Sequence, residues 1–265
     1  MNFLEIKDQK LSLEFKKKGY LIKKIKDLDS LKYIKKKVLV ELKKNIKKKQ
    51  SIKEIDFLNK FHKYSNSKDL NKIRLNIFNK LNEDLNFKKS YFNISKNILD
   101  TLVGNELVMQ KKINLSIQTP NDKSSLLPVH ADTWSGLSPF EVVVWLPLVD
   151  CYKTKSMYIL QPKYYKKFIK NMNKVKFSNS ERIFSSIKKD IDWLDIKFGE
   201  VLIFNQQLPH GNVPNIERDT RWSMNCRFKS IFSPYADKKI GEFYEPITLR
   251  PITELGFKYQ LPKFK

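Results

Sequence analysis

The fold of this chain is decided by residues 128–160, which read PVHADTWSGLSPFEVVVWLPLVDCYKTKSMYIL. A His-x-Asp pair, His130 and Asp132, precedes two runs that are typical of β-strands, 141–150 and 155–160. In an extended segment residues i and i+2 point to the same side, so both side chains can reach one metal ion. One imidazole and one carboxylate are two of the three ligands of a 2-His-1-carboxylate Fe(II) site. Taken alone, the pair also fits a hydrogen-bonded surface contact.

A second stretch, residues 199–211, supplies a candidate third ligand. It reads GEVLIFNQQLPHG, an apolar strand that ends at His210 in a turn flanked by proline and glycine. Eleven positions after His210, Arg221 opens the strand-like run RWSMNCRFKSI. This combination is far more specific than any of its parts. It predicts a metal site made by the His-x-Asp pair and His210, with Arg221 as a fixed cation beside it.

This pattern resembles the Fe(II)/2-oxoglutarate oxygenases of the phytanoyl-CoA dioxygenase superfamily. The residues that carry the resemblance are the His-x-Asp pair, GEVLIF…LPHG and Arg221, within approximately residues 105–235. More narrowly, HADTWSGLSPFEVVVWLPLVDCYKTKSMYIL is similar to a subgroup found near surface-carbohydrate biosynthesis genes. The amino-terminal run FKKKGYLIKKIKD is similar to the entry strand of the superfamily.

The resemblance implies a dioxygenase that uses Fe(II), 2-oxoglutarate as cosubstrate and O2. His130, Asp132 and His210 would be the catalytic metal ligands, leaving three open positions on the iron. Arg221 and Ser223 match the Arg-x-Ser pattern that binds the 5-carboxylate of 2-oxoglutarate in the family. The expected reaction oxidises a C–H bond of a small polar substrate, a carbohydrate or sugar-derived metabolite, and releases succinate and CO2.

Two further candidates lie on the strand that begins at Arg221. Asn225 and Arg227 continue the face of Arg221 and Ser223, because side chains alternate along a strand. Arg227 is therefore an alternative anchor for the cosubstrate carboxylate or a substrate contact. Asn225 is a candidate substrate contact.

Two more candidates lie elsewhere in the barrel core. The strand-like run 107–118 has one polar face that ends at Gln118. That face either lines the pocket, which makes Gln118 a candidate cofactor-binding residue, or it faces solvent. Trp134, just after Asp132, either stacks on a substrate sugar ring or covers the core.

The hydrophobic pattern changes from helical to period two near residue 105. It predicts an entry strand within 11–26 and then amphipathic helices, which span 31–46, 52–64, 68–88 and 95–103. Many short antiparallel strands behind a helical layer predict a mainly β fold with a helical annex, a double-stranded β-helix of the jelly-roll or cupin-like kind.

The chain is expected to form one oxygenase domain over residues 1–265. The entry strand and helical layer occupy 1–104, and the barrel core occupies 105–235 with a helical insertion at 162–196. Residues 236–265 contain several prolines and are expected to wrap irregularly over the barrel.

The net charge of +24 raises the question of a nucleic-acid partner. Of the 52 basic residues only six are Arg, and the Lys are scattered from residue 7 to the last position. A solvated Lys surface is therefore expected, with no nucleic-acid partner, although attraction of an anionic substrate or polymer stays open. Two cysteines and short apolar runs favour a cytoplasmic protein without a membrane partner.

Two other functions fit parts of this pattern. One is a catalytically inactive basic barrel that binds nucleic acid or an acidic glycan through its lysines. The other is a non-oxidative, metal-dependent isomerase of the cupin type, which has no need of Arg221.

Overall fold

The computed structural model describes residues 3–46, 54–65, 67–172 and 180–263. Its helices are α1 (Ile6–Lys18), α2 (Leu28–Lys44), α3 (Glu54–Asn59), α4 (Ser67–Asn82), α5 (Leu85–Asn93), α6 (Lys96–Leu102), α7 (Pro162–Met172), α8 (Ser180–Ile187) and α9 (Pro251–Lys258). Its strands are β1 (Tyr20–Lys24), β2 (Leu107–Gln110), β3 (Asn114–Gln118), β4 (Glu141–Pro147), β5 (Tyr158–Leu160), β6 (Ile191–Trp193), β7 (Glu200–Asn205), β8 (His210–Gly211), β9 (Arg221–Ser230) and β10 (Tyr244–Thr248).

Two antiparallel sheets form the barrel. The larger has the order β1-β7-β4-β9-β2-β10, with β3 also paired to β9, and the smaller has the order β6-β5-β8. Every residue of the central strand β4 is buried. Its continuous apolar run EVVVWLP fits a strand covered on both faces, by helices outside and by the barrel interior inside. The predicted jelly-roll, cupin-like fold is confirmed.

The helical layer covers the outer face of the larger sheet. α2 begins at Asp27, whose side chain accepts a hydrogen bond from the backbone N–H of Ser30. Its buried stripe, Leu31, Ile34, Val38 and Leu42, follows the helical period and packs against α4 and α5. No helix in the described ranges is both long and apolar enough to cross a membrane.

Two contacts lock this layer to the sheet. The rings of Phe61 and Trp222 meet edge to face at 5.1 Å, and the buried Tyr91 hydroxyl donates to the carbonyl of Val144 at 2.9 Å. Trp222 and Val144 belong to the neighbouring strands β9 and β4. The outward residues of the strands therefore serve packing, which leaves the inward residues for the site.

The amino-terminal prediction was only partly correct. The entry strand is present as β1, but residues 6–18 form α1. Lys, Glu, Leu and Phe in this stretch are compatible with a helix. Gly19 ends that helix with a positive φ of 77°, and the chain then turns into β1. The expected helix over 68–88 is likewise two helices, because Asp84 interrupts it and caps α5.

Two predictions in the carboxyl-terminal two thirds also need correction. The strand expected over 107–118 is divided into β2 and β3. The tail is not an irregular wrap, since it forms β10 and α9. Its prolines are compatible with both elements: Pro246 lies in an edge strand, and Pro251 is the first residue of a helix, where no N–H is needed.

Three glycines should separate backbone strain from crowding. Gly19→Ala combines a positive φ with a collision against the Leu208 side chain, Gly104→Ala has only a positive φ of 108°, and Gly256→Ala has neither. We expect losses of about 2–4 kcal/mol and about 1–2 kcal/mol for the first two, and a gain of up to about 1 kcal/mol for Gly256→Ala in α9. Urea unfolding measures these free energies, and equal stability of the Gly19 and Gly256 variants would contradict the assignment.

Candidate metal centre

Two histidines that are far apart in the sequence are joined through their backbones. The N–H of His130 donates to the carbonyl of His210 at 3.0 Å, and the N–H of His210 donates to the carbonyl of His130 at 2.8 Å. Their ring centroids are 4.3 Å apart. His210 starts β8, which pairs with β5 in the smaller sheet. The barrel topology itself therefore brings the rings together.

The two imidazoles are held in the same tautomer. Nδ1 of His130 lies 2.7 Å from the carbonyl oxygen of Pro128, and Nδ1 of His210 lies 2.8 Å from that of Leu208. A carbonyl oxygen only accepts hydrogen bonds, so each Nδ1 carries the proton. In a neutral imidazole whose Nδ1 carries the proton, Nε2 has the lone pair that can bind a metal ion.

Asp132 completes the group. It begins a short 3₁₀ turn, and its N–H donates to the carbonyl of Gln206 at 3.1 Å. Its Oδ1 lies 3.6 Å from Nε2 of His130. One ligand atom from each of His130, Asp132 and His210 lies within 4.8 Å of the others, and within the described ranges this is the group of such side chains that can hold a metal ion. The structure thus brings the three predicted ligands together.

Burial prepares His210 for this role. Only 5% of the residue is exposed. Its pKa falls from 6.5 to about 4, mainly because the ring is removed from water and secondly because His130 lies beside it. The ring is therefore neutral at neutral pH, as metal binding requires. The remaining histidine, His62, lies apart from the group, with Nδ1 2.9 Å from the Thr220 hydroxyl oxygen.

Arg221 is a buried cation without an anion. It is 3% exposed, and its guanidinium donates to the Ser116 hydroxyl at 3.1 Å and to the Ser156 carbonyl at 3.4 Å. No carboxylate of the described residues lies within 4.0 Å of it, and its Nε has no partner. Burial lowers the pKa of Arg221 to about 10. An isolated buried charge is costly, so this arrangement favours a bound anion.

Further buried polar atoms with unused bonding capacity accompany Arg221. They are Oε1 of Gln118 and the hydroxyls of Ser156 and Ser223. Gln118 and Ser223 are predicted site residues, and β3 does turn its polar face inward, since Ser116 bonds to Arg221. Ser156 was missed by sequence reasoning, because one serine after a Lys-rich turn has no distinguishing pattern.

The structure places Arg227 away from this cluster of unpartnered atoms. Its Nε and Nη2 donate to Oδ2 of Asp132 at 3.0 and 2.6 Å. This placement favours Arg221 over Arg227 as the carboxylate anchor. Asn225 accepts a hydrogen bond from Asn114 at 3.0 Å, so its carbonyl oxygen is engaged within the barrel.

Trp134 lies beside the metal group on the turn that begins at Asp132. Its ring is nearly parallel to that of Phe168 in α7, with centroids 6.1 Å apart and an interplanar angle of 11°. The residue remains 40% exposed. It therefore covers neighbouring apolar surface on one side and leaves part of its ring open to solvent.

Comparisons with known proteins bear on the fold. No family model and no curated protein matches this chain. Its structure is similar to SnoN, a non-heme α-ketoglutarate-dependent epimerase from nogalamycin biosynthesis, at 12% identity and TM-score 0.53, over 91% of this chain and 92% of that chain. It is also similar to SnoK, a non-heme α-ketoglutarate-dependent carbocyclase from the same biosynthesis, at 12% identity and TM-score 0.51, over 93% of this chain and 97% of that chain. A third similar structure is apo HygX from Streptomyces hygroscopicus, at 13% identity and TM-score 0.51, over 88% of this chain and 90% of that chain. At such identities the likeness establishes a common fold.

Gly211 allows the two ligand-bearing segments to pack closely. A Cβ there would lie 2.8 Å from the carbonyl oxygen of Leu127 and 3.0 Å from that of Pro128, which holds the His130 ring. We expect Gly211→Ala to displace this backbone, to destabilise the fold by about 1–3 kcal/mol and to weaken metal binding. Titration with Co(II) beside urea unfolding tests both effects. Wild-type affinity in Gly211→Ala would show that this close approach is dispensable.

Proposed function

We propose that this protein is an Fe(II)- and 2-oxoglutarate-dependent oxygenase, built as one domain, that oxidises a C–H bond of a small polar substrate. The observation that carries the proposal is a two-part arrangement on one barrel interior. A His-Asp-His group that can hold a metal ion and a buried arginine both face this interior, and the described residues supply that arginine with no anion.

The donor set fits iron. Two neutral imidazoles and one carboxylate are the ligands of non-haem Fe(II) oxygenase sites, whereas thiolate ligands would suit other metals. Both cysteines, Cys151 and Cys226, are buried and lie outside the group. His130, Asp132 and His210 would hold the ion.

The surroundings of Arg221 fit 2-oxoglutarate. A planar guanidinium pairs with a carboxylate through two parallel hydrogen bonds. Its free Nε and the spare hydroxyl of Ser223 can both donate to the 5-carboxylate of this cosubstrate. The Ser156 hydroxyl would form its missing hydrogen bond in the same pocket, and Oε1 of Gln118 would do so through a bound water.

Bound iron and 2-oxoglutarate would supply the activation of dioxygen, with succinate and CO2 as by-products. The chain supplies the rest. The Nδ1–H bonds of His130 and His210 to backbone carbonyls hold both Nε2 atoms toward the ion. Arg221 fixes the far end of the cosubstrate, and its burial excludes water from that end.

A carbohydrate or sugar-derived metabolite is the substrate class that we propose. It rests on the sequence resemblance and on Trp134, an aromatic residue beside the metal group that is 40% exposed and of a type that packs against sugar rings. The names of SnoN and SnoK specify epimerisation and ring formation, so the proposal extends to C–H oxidation and not to a particular product. Arg221 separates it from a cupin-type isomerase, which has no use for a buried carboxylate anchor.

Metal binding is tested by His210→Ala with His62→Ala as its control. Loss of His210 removes one of three ligands, so the amount of bound Fe(II) should fall sharply and turnover of 2-oxoglutarate should cease. His62→Ala should retain the metal, because that ring contacts Thr220 instead. Metal analysis after anaerobic loading measures both variants. Full iron occupancy with unchanged turnover in His210→Ala would refute the assignment.

Cosubstrate binding is tested by Arg221→Lys with Arg218→Lys as its control. Loss of a desolvated bidentate partner for a carboxylate costs on the order of 2–5 kcal/mol, so the 2-oxoglutarate requirement should rise more than tenfold. Arg218 is exposed, and its replacement should leave that requirement unchanged. Calorimetric titration of the metal-loaded, oxygen-free protein with 2-oxoglutarate measures both. Equal affinities in the two variants would exclude Arg221 as the anchor.

A further inference from the structure

The carboxylate of Asp132 is held by one oxygen. Arg227 donates both Nε and Nη2 to the same atom, Oδ2, at 3.0 and 2.6 Å. The other oxygen, Oδ1, lies 3.6 Å from Nε2 of His130, on the side of the metal group. The two oxygens of this side chain therefore have different surroundings.

Arg227 is itself held in place from behind. Its Nη1 donates to Oε1 of Gln110 at 2.9 Å, and Nε2 of Gln110 donates to the carbonyl of Lys112 at 2.8 Å. Gln110 is 5% exposed and lies at the end of β2. The chain of contacts from Lys112 to Asp132 thus fixes the guanidinium by three of its N–H groups and leaves little freedom to the carboxylate.

We infer that Arg227 is a positioning residue for the metal centre, which makes Asp132 a ligand through Oδ1 alone. The inference rests on the proposed function, since it requires a metal ion at the His-Asp-His group. Asp132 is the carboxylate that Arg227 pairs with, and 7% of its side chain and 14% of that of Arg227 is exposed. Charge-assisted hydrogen bonds of this length are strong enough to define the orientation of a buried carboxylate.

Binding of Asp132 through one oxygen would determine how many coordination positions of the metal ion stay open. A carboxylate that binds through both oxygens occupies two positions on a metal ion, and an octahedral ion with three single-atom ligands keeps three positions free. The proposed cosubstrate and dioxygen need all three. By occupying Oδ2, Arg227 keeps the third position free and holds Oδ1 where both imidazoles converge.

The strand that carries Arg227 also provides its control. Lys229 lies two residues later on the same face of β9, is fully buried, and donates to the backbone carbonyls of Ser233 and Pro234. Replacement of either residue by methionine removes one largely buried cation from the same strand. Only the replacement at Arg227 removes the partner of Asp132.

The test is the affinity of the full-length protein for Co(II), titrated calorimetrically without 2-oxoglutarate. Loss of a group that orients a metal ligand typically weakens metal binding about 10–100-fold. We expect Arg227→Met to show a loss of this size and Lys229→Met to stay within about threefold of wild type. Urea unfolding of the metal-free variants accompanies the titrations, so that a loss of affinity is compared at known stability.

Two milder variants keep the test decisive if Arg227→Met does not fold. Arg227→Lys retains the charge but not the two-pronged donor, and Gln110→Met removes only the support behind Arg227. Both should bind Co(II) more weakly than wild type and more tightly than any folded Arg227→Met protein. Wild-type affinity in both would overturn the inference.

Other outcomes separate this inference from the proposed function. If wild type binds Co(II) and His210→Ala does not, the metal centre stands, and undiminished binding in Arg227→Met then refutes the positioning role alone. An equal loss in Arg227→Met and Lys229→Met also refutes it, because the loss would then follow from removing any buried cation of β9. If wild type and His210→Ala bind Co(II) equally, the metal centre and the inference fail together.

Discussion

The paired backbone hydrogen bonds between His130 and His210 are the interaction on which the site depends. They join two segments that meet only when the smaller sheet and the loop before β4 have formed. The three side chains that can hold a metal ion are therefore brought together by the same contacts that close the barrel. Gly211, which directly follows His210, is needed for this pairing, because a side chain there would collide with the carbonyl oxygens of Leu127 and Pro128. Folding and site geometry are coupled here through main-chain atoms.

The inward face of β9 shows three ways of burying a positive charge. Arg227 has a carboxylate, Asp132. Lys229 donates to two backbone carbonyls and lies 3.4 Å from the ring centroid of Tyr235, while burial lowers its pKa to about 8. Within the part of the chain that the structure describes, Arg221 pairs with neither a carboxylate nor an aromatic ring. A strand that satisfies two of its cations and leaves the third without a counter-charge concentrates a positive potential at one end of the barrel.

Much of this architecture follows from local rules. The two-residue period of strands places His130 beside Asp132, and apolar runs of strand length predict the sheets. The features that were missed depend on what meets across the fold. The pairing of Arg227 with Asp132 and the inward hydroxyl of Ser156 are set by strand register and sheet closure, which no local spacing contains. The length of the amino-terminal strand was overestimated because its residues suit either structure until Gly19 fixes the turn.

The contact between Trp134 and Phe168 connects the turn that begins at Asp132 to a helix outside both sheets. α7, which carries Phe168, is inserted between β5 and β6 and adds no strand to the larger sheet. Substitutions along this helix would change the surface against which Trp134 packs, and the inward face of β9 would stay unchanged. The surface beside Trp134 can therefore change shape through substitutions in α7 that leave His130, Asp132 and His210 unaltered.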